Sequence, residues 1–90
     1  MSKVEKFKEI TEKMAETYER KNNDYGDSFS RSVEEFGPIA GVVRISDKFS
    51  RLKSLIVTKN EQKVNDESVK DTLLDMASYC IMLSMELDKE

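Results

Sequence analysis

Asp71 and Asp75 stand four residues apart, and Arg44, Lys48 and Arg51 stand at i, i+4 and i+7, so an α-helix would put each set on one face. Paired carboxylates are hard oxygen ligands that suit Mg²⁺ or Mn²⁺, and clustered cations suit phosphate oxygens. Asp47 lies among the three cations and is a further carboxylate such a site could use. Cover decides what the aspartates do. On a wet helix face two like charges at i,i+4 cost only about 0.2–0.5 kcal/mol and carry no meaning. Buried without partners they cost several kcal/mol, which a small domain cannot spare.

Val69, Leu73, Met76, Cys80, Leu83 and Leu87 make one apolar stripe at helical spacing, and Leu74, Ile81 and Met85 make a second. Between them run Ser68, Asp71, Asp75, Tyr79 and Met82. A helix on the surface of a small monomer needs one stripe, so the acidic line is expected to be covered and compensated by Lys, Arg or a divalent metal. The other reading makes the second stripe a half-exposed face and both aspartates solvated. Periodicity leaves both open.

The chain has no histidine, which removes Ser-His and Cys-His nucleophilic systems and every His-ligated zinc site. Hydrolysis would have to use carboxylates, a metal, lysine or water. Ninety residues make one domain, residues 1–90, with a thin core. A net charge of −3 argues against bulk nucleic-acid binding. Cys80 is expected as a small buried hydrophobe, and one cysteine fits a reducing, cytoplasmic setting. The stretch from Met1 to Phe7 lacks the apolar run of a secretory signal, and the uncharged segment from Met76 to Met85 is too short to span a bilayer.

Four elements would position these groups. Ser2 and Glu5 have the form of a capping box and open a helix from Lys3 to about Lys21, with Val4, Phe7, Ile10, Met14 and Tyr18 inward. The stretch from Lys21 to Phe29 is expected to turn at Asn23 or Gly26; it is either a plain helix cap or a loop in which Lys21, Asp24 and Asp27 face a polar ligand and Tyr25 or Phe29 stacks on it. Ser32 to Glu35 repeats the capping-box form and predicts a short helix ending at Phe36-Gly37. Pro38 then opens a helix from Ile39 to about Val57, with Val42, Ile45, Phe49, Leu52 and Ile56 toward the core. Thr58 to Asp66 is expected as a polar, mobile loop, with Asn65 or Asp66 capping the last helix. No strand-like alternation is present, so the fold class is all-α: an antiparallel bundle of three long helices and one short one.

Lys21 to Gly26 (K-N-N-D-Y-G), Arg44 to Leu52 (R-I-S-D-K-F-S-R-L) and Asp71 to Tyr79 (D-T-L-L-D-M-A-S-Y) together resemble the nucleotide modification associated domain 1 family. That family looks like an offshoot of the all-α nucleoside triphosphate pyrophosphohydrolases of the MazG and dimeric dUTPase type. The resemblance implies acidic residues on neighbouring helices holding Mg²⁺, a nucleotide bound across a helical oligomer, and water releasing pyrophosphate. Asp75 matches the terminal Asp of the E-x-x-D helix of those enzymes. Thr72 takes the place of the Glu, Asp71 lies one position off, and no E-x-x-E lies on the helix immediately before.

Three functions follow. A nucleotide hydrolase dependent on Mg²⁺ or Mn²⁺ would bind metal through Asp71 and Asp75 with Asp47 or Asp24. Lys48 and Arg51 would neutralise phosphate, and Tyr25 or Tyr79 would contact base or sugar. A non-catalytic protein sequestering a nucleotide, of phage use for example, would retain its ligand through Arg44, Lys48 and Arg51. A helical interaction module would use the second apolar stripe as a protein interface. All three expect a homo-oligomer with the last helix at its interface.

Overall fold

The computed structural model describes residues 1–62 and 66–89, and those residues form four helices: α1 (Lys3–Tyr25), α2 (Ser28–Phe36), α3 (Ile39–Gln62) and α4 (Asp66–Leu87). The chain is all-α, as its patterning requires, and α3 and α4 form the central pair. No described helix is long and apolar enough to cross a membrane.

The capping box at the start of α1 is formed. Glu5 N–H donates to Ser2 Oγ at 3.1 Å, and Ser2 N–H donates to Glu5 Oε1 at 3.2 Å. The helix runs four residues past its expected end and stops at Gly26, whose φ of 61° needs no Cβ to be accommodated. Both Gly26 N–H and Asp27 N–H donate to the Asn22 carbonyl, so the Asn-rich segment stays helical up to that point. The stop is at Gly26, not Asn23.

The short helix α2 starts at Ser28, four residues before the apparent capping box at Ser32, which lies inside the helix. Starting early lets Phe29, Ser30 and Val33 turn inward together at helical spacing. Gly37 N–H closes it with a bond to the Val33 carbonyl at 2.7 Å, and Pro38 leads into α3 through its carbonyl, which accepts from Val42 at 3.2 Å. The third helix continues to Gln62, so part of the expected polar loop is helical. Residues 63–65, with the Asn65 cap, lie outside the described residues, and Asp66 is the first residue of α4.

Gly41 is buried against α4, where a Cβ would sit 2.8 Å from Leu83 Cδ1. The α3–α4 pair approaches closely there because Gly41 has no side chain. Beyond this contact the apolar core is small: Phe29, Val33 and Val69 are the buried hydrophobes among the described residues.

Several expected core residues are outside. Val42, Phe49 and Ile56 of α3, Leu73 and Leu87 of α4, and Val4 and Phe7 of α1 are exposed, and α1 buries no residue at all. Cys80 is an exposed free thiol, not a buried one. A single chain has too few helices to cover every stripe. Its radius of gyration is 14.8 Å, against about 12 Å for a compact chain of this length.

Candidate functional site

A cavity of about 430 Å³ opens between the C-terminal half of α1, the start of α2, and the facing sides of α3 and α4. Thr17, Lys21 and Tyr25 recur every four residues along one line of α1 and form one wall with Tyr18 and Asn22. Arg44 and Lys48, one turn apart on α3, face them, and α4 supplies Asp75, Ser78, Tyr79 and Met82. Ser28 and Phe29 close the end at α2.

Lys48 Nζ lies 3.2 Å from Asp75 Oδ2, and the two side chains are 29% and 41% exposed. The ion pair bridges α3 and α4 at the cavity wall while leaving both groups in reach of solvent. Tyr79 is held on two counts. Its ring stacks on the buried Phe29 ring at a centroid distance of 5.8 Å, and the Arg44 guanidinium sits 5.9 Å from its centroid. Tyr25, by contrast, is exposed at the rim. Three cations and one carboxylate on the wall make the cavity electropositive.

Seven residues singled out from the sequence meet here: Lys21, Tyr25, Phe29, Arg44, Lys48, Asp75 and Tyr79. Asp24, Asp47, Arg51 and Asp71 do not line the cavity and are exposed. The acidic line of α4 is therefore split. Asp75 is half-buried beside its cation, whereas Asp71, one helical turn and about 6 Å back along the axis, faces solvent with no charged or hydrogen-bonding partner among the described residues. Asp71 lies outside the covered face of α4, although its neighbours Val69 and Thr72 are buried.

Thr72, which stands where the resemblance places a glutamate, is 3% exposed. Its hydroxyl donates to the Ser68 carbonyl of the same helix at 2.9 Å, so this position serves the α4 backbone. No group of three Cys, Asp or Glu side chains among the described residues is placed to hold a metal ion. Among the described residues, Asp75 is the one carboxylate on the cavity wall. Mg²⁺ is commonly held by one or two carboxylates together with substrate phosphates. A single carboxylate is a donor that a metal ion delivered on phosphates could use.

Thr17, Asn22 and Ser78 were not apparent as cavity residues. Their signal is positional: Thr17 precedes Lys21 by one turn, and Ser78 and Met82 continue the face that holds Asp75.

A second cluster lies away from the cavity. Lys89 Nζ donates to Ser30 Oγ at 2.7 Å and lies 2.9 Å from Glu86 Oε2, and Ser30 Oγ donates to Glu86 Oε1 at 2.8 Å. The hydrogen bond from Lys89 is the largest influence holding the Glu86 carboxyl below its ordinary value, with Ser30 adding to it and burial opposing it. The same bond holds Lys89 above its ordinary value. These three residues tie α2 to the end of α4 and so fix the wall that carries Phe29 and Tyr79.

A family profile described as nucleotide modification associated domain 1 matches residues 21–87. The match begins at the α1 lysine of the cavity and runs through α4. No curated protein and no solved structure matches the chain.

Proposed function

The chain belongs to the nucleotide modification associated domain 1 family, and from that premise we propose that its cavity binds the phosphate end of a nucleotide, with Mg²⁺ carried on the phosphates. What supports the reading is the convergence of Lys21, Arg44 and Lys48 from two helices on one cavity that also carries Tyr25 and Tyr79. Its volume of about 430 Å³ falls in the range of small-molecule sites, roughly 300–1,000 Å³. Charge-assisted bonds from the three cations engage phosphate oxygens. Tyr25 offers a ring to base or sugar, while the Tyr79 ring holds Arg44 in place. Mg²⁺ when bound neutralises phosphate charge, with Asp75 as its protein ligand.

A second reading at the same site is hydrolysis with release of pyrophosphate. It is favoured by the position of Asp75, the carboxylate on the wall that could take a proton from water once phosphate has drawn Lys48 away. A panel of nucleoside triphosphates with Mg²⁺, read by thermal shift and by chromatography of products, tests both. Ligand at 100 times its dissociation constant adds about 2.7 kcal/mol of stability. A shift without product leaves a binding protein; a shift with pyrophosphate makes it a hydrolase; no shift with any nucleotide refutes the site.

We also propose that the chain assembles with copies of itself. Val42, Phe49 and Ile56 on α3, and Leu73, Cys80 and Leu87 on α4, each recur every seven residues and are all exposed. Seven-residue apolar lines on neighbouring helices are the pattern of a helix–helix seam. The accessible surface of 6962 Å² also exceeds the roughly 5,400 Å² of a compact monomer of this mass. The excess is of the size that a stable interface removes.

A further inference from the structure

The wall of the cavity formed by α1 is attached differently from the others. Among the described residues no hydrogen bond or ion pair joins α1 to α2, α3 or α4: its side-chain bonds and ion pairs run within the helix, from Ser2 to Glu5 and from Glu9 to Lys6 and Lys13. It buries no residue, and its apolar side rests on α4 across a shallow groove of about 200 Å³ between Met14, Ala15 and Tyr18 and the facing Ile81, Met82 and Met85. By contrast α2, α3 and α4 are tied by the Lys48–Asp75 pair, the Phe29–Tyr79 stack and the Ser30–Glu86–Lys89 cluster.

The joint between α1 and this body consists of two consecutive left-handed residues, Gly26 at φ 61° and Asp27 at φ 59°. Asp27 starts α2 without a side-chain capping bond, and only backbone bonds hold its left-handed conformation: its N–H donates to the Asn22 carbonyl and its carbonyl accepts from Arg31 N–H. Arg31 braces the joint, its Nη1 donating to the Gly26 carbonyl. Short element-terminal segments of this kind absorb the backbone changes of hinge motions.

We propose that α1 is a hinged lid that turns about Gly26–Asp27 and closes Tyr18, Lys21 and Tyr25 over a ligand held from the other side by Arg44 and Lys48. This rests on the nucleotide reading of the cavity. Lys21 then adds its charge only in the closed form, so phosphate itself draws the lid shut, and closure removes the rim residue Tyr25 from solvent.

The test is a spin-label distance between α1 and α3, with Glu12→Cys and Ser50→Cys in a Cys80→Ser background, labelled chains being diluted with unlabelled ones. Each of the four deoxynucleoside triphosphates with Mg²⁺ is the probe, and calorimetry on the same protein records whether it binds. The expected result is a broad distribution without nucleotide that collapses to one shorter distance at saturation, and Arg31→Ala broadens the nucleotide-free distribution further. A single narrow distance in the nucleotide-free protein overturns the lid. So does an unchanged distribution when calorimetry shows binding, and in that case the cavity reading stands. If calorimetry finds no binding at all, the cavity reading falls and takes the lid with it.

Discussion

Lys48 of α3 and Asp75 of α4 meet at 3.2 Å across the wall of the cavity, each still partly open to solvent. A pair of this exposure contributes little to stability, about 0.2–1 kcal/mol. It keeps a cation and a carboxylate poised where phosphate would compete for the cation. Asp75→Asn should therefore unfold the protein by no more than about 1 kcal/mol and strengthen binding of metal-free nucleotide by releasing Lys48. Lys48→Met should weaken nucleotide binding by roughly 10- to 100-fold, the worth of a hydrogen bond to a charged group. Calorimetry of both variants with and without EDTA checks this; equal weakening by the two would contradict it.

Phe29 and Tyr79 make separable contributions. Phe29→Ala removes one of the few buried apolar side chains and should cost about 3–5 kcal/mol in urea unfolding. Tyr79→Phe retains the stack and should leave stability within about 0.5 kcal/mol. Tyr79→Leu should lose the ring pair, about 0.5–1.5 kcal/mol, and with it the support of Arg44.

The Ser30–Glu86–Lys89 cluster sets a pH window. The folded state holds the Glu86 carboxyl below its ordinary 4.5, so its contribution is complete above 4.5 and is lost as pH falls through the depressed value. Lys89 is held above its ordinary 10.5, so its contribution is complete below 10.5 and is lost as pH rises through the elevated value. Urea midpoints followed into acid should fall less steeply for Glu86→Gln than for the parent chain. Identical acid limbs would show that the cluster does not couple to folding.

The seven-residue lines on α3 and α4 predict a specific loss. Phe49 is 50% exposed in the isolated chain, so Phe49→Glu should leave the monomer folded and abolish its association. Native mass spectrometry at micromolar concentration reads the outcome. A parent chain that is already monomeric would remove the seam.

Helix type and order were legible because apolar residues recur at helical spacing and Ser2, Gly26 and Pro38 punctuate the chain. Boundaries were less so. Asn22 to Asp24 read as a breaker, yet two N–H groups converging on one Asn22 carbonyl carry the helix to Tyr25. Ser32 mimics a cap because Ser–x–x–Glu also occurs inside helices. The stripes identified which side of each helix is apolar but could not say what would cover it, so Phe49 and Cys80 appeared as core and are exposed in the chain alone. At the cavity, residue types pointed to Lys21, Arg44, Lys48 and Asp75. Helical spacing did not reveal that α1 would bring Lys21 and Tyr25 to them, or that Asp71 would face solvent while Asp75 joins the cavity. That relation is tertiary.

The central claim is that the electropositive cavity between α1, α3 and α4 holds nucleotide phosphate. Titration calorimetry of the parent chain and of an Arg44→Ala, Lys48→Ala double variant against nucleoside triphosphates tests it, in Mg²⁺ and in EDTA. The account predicts saturable binding of at least one triphosphate by the parent, stronger in Mg²⁺, and no measurable binding by the double variant with its helical spectrum intact. Absence of binding by the parent to every nucleotide, or undiminished binding by the folded double variant, would contradict it.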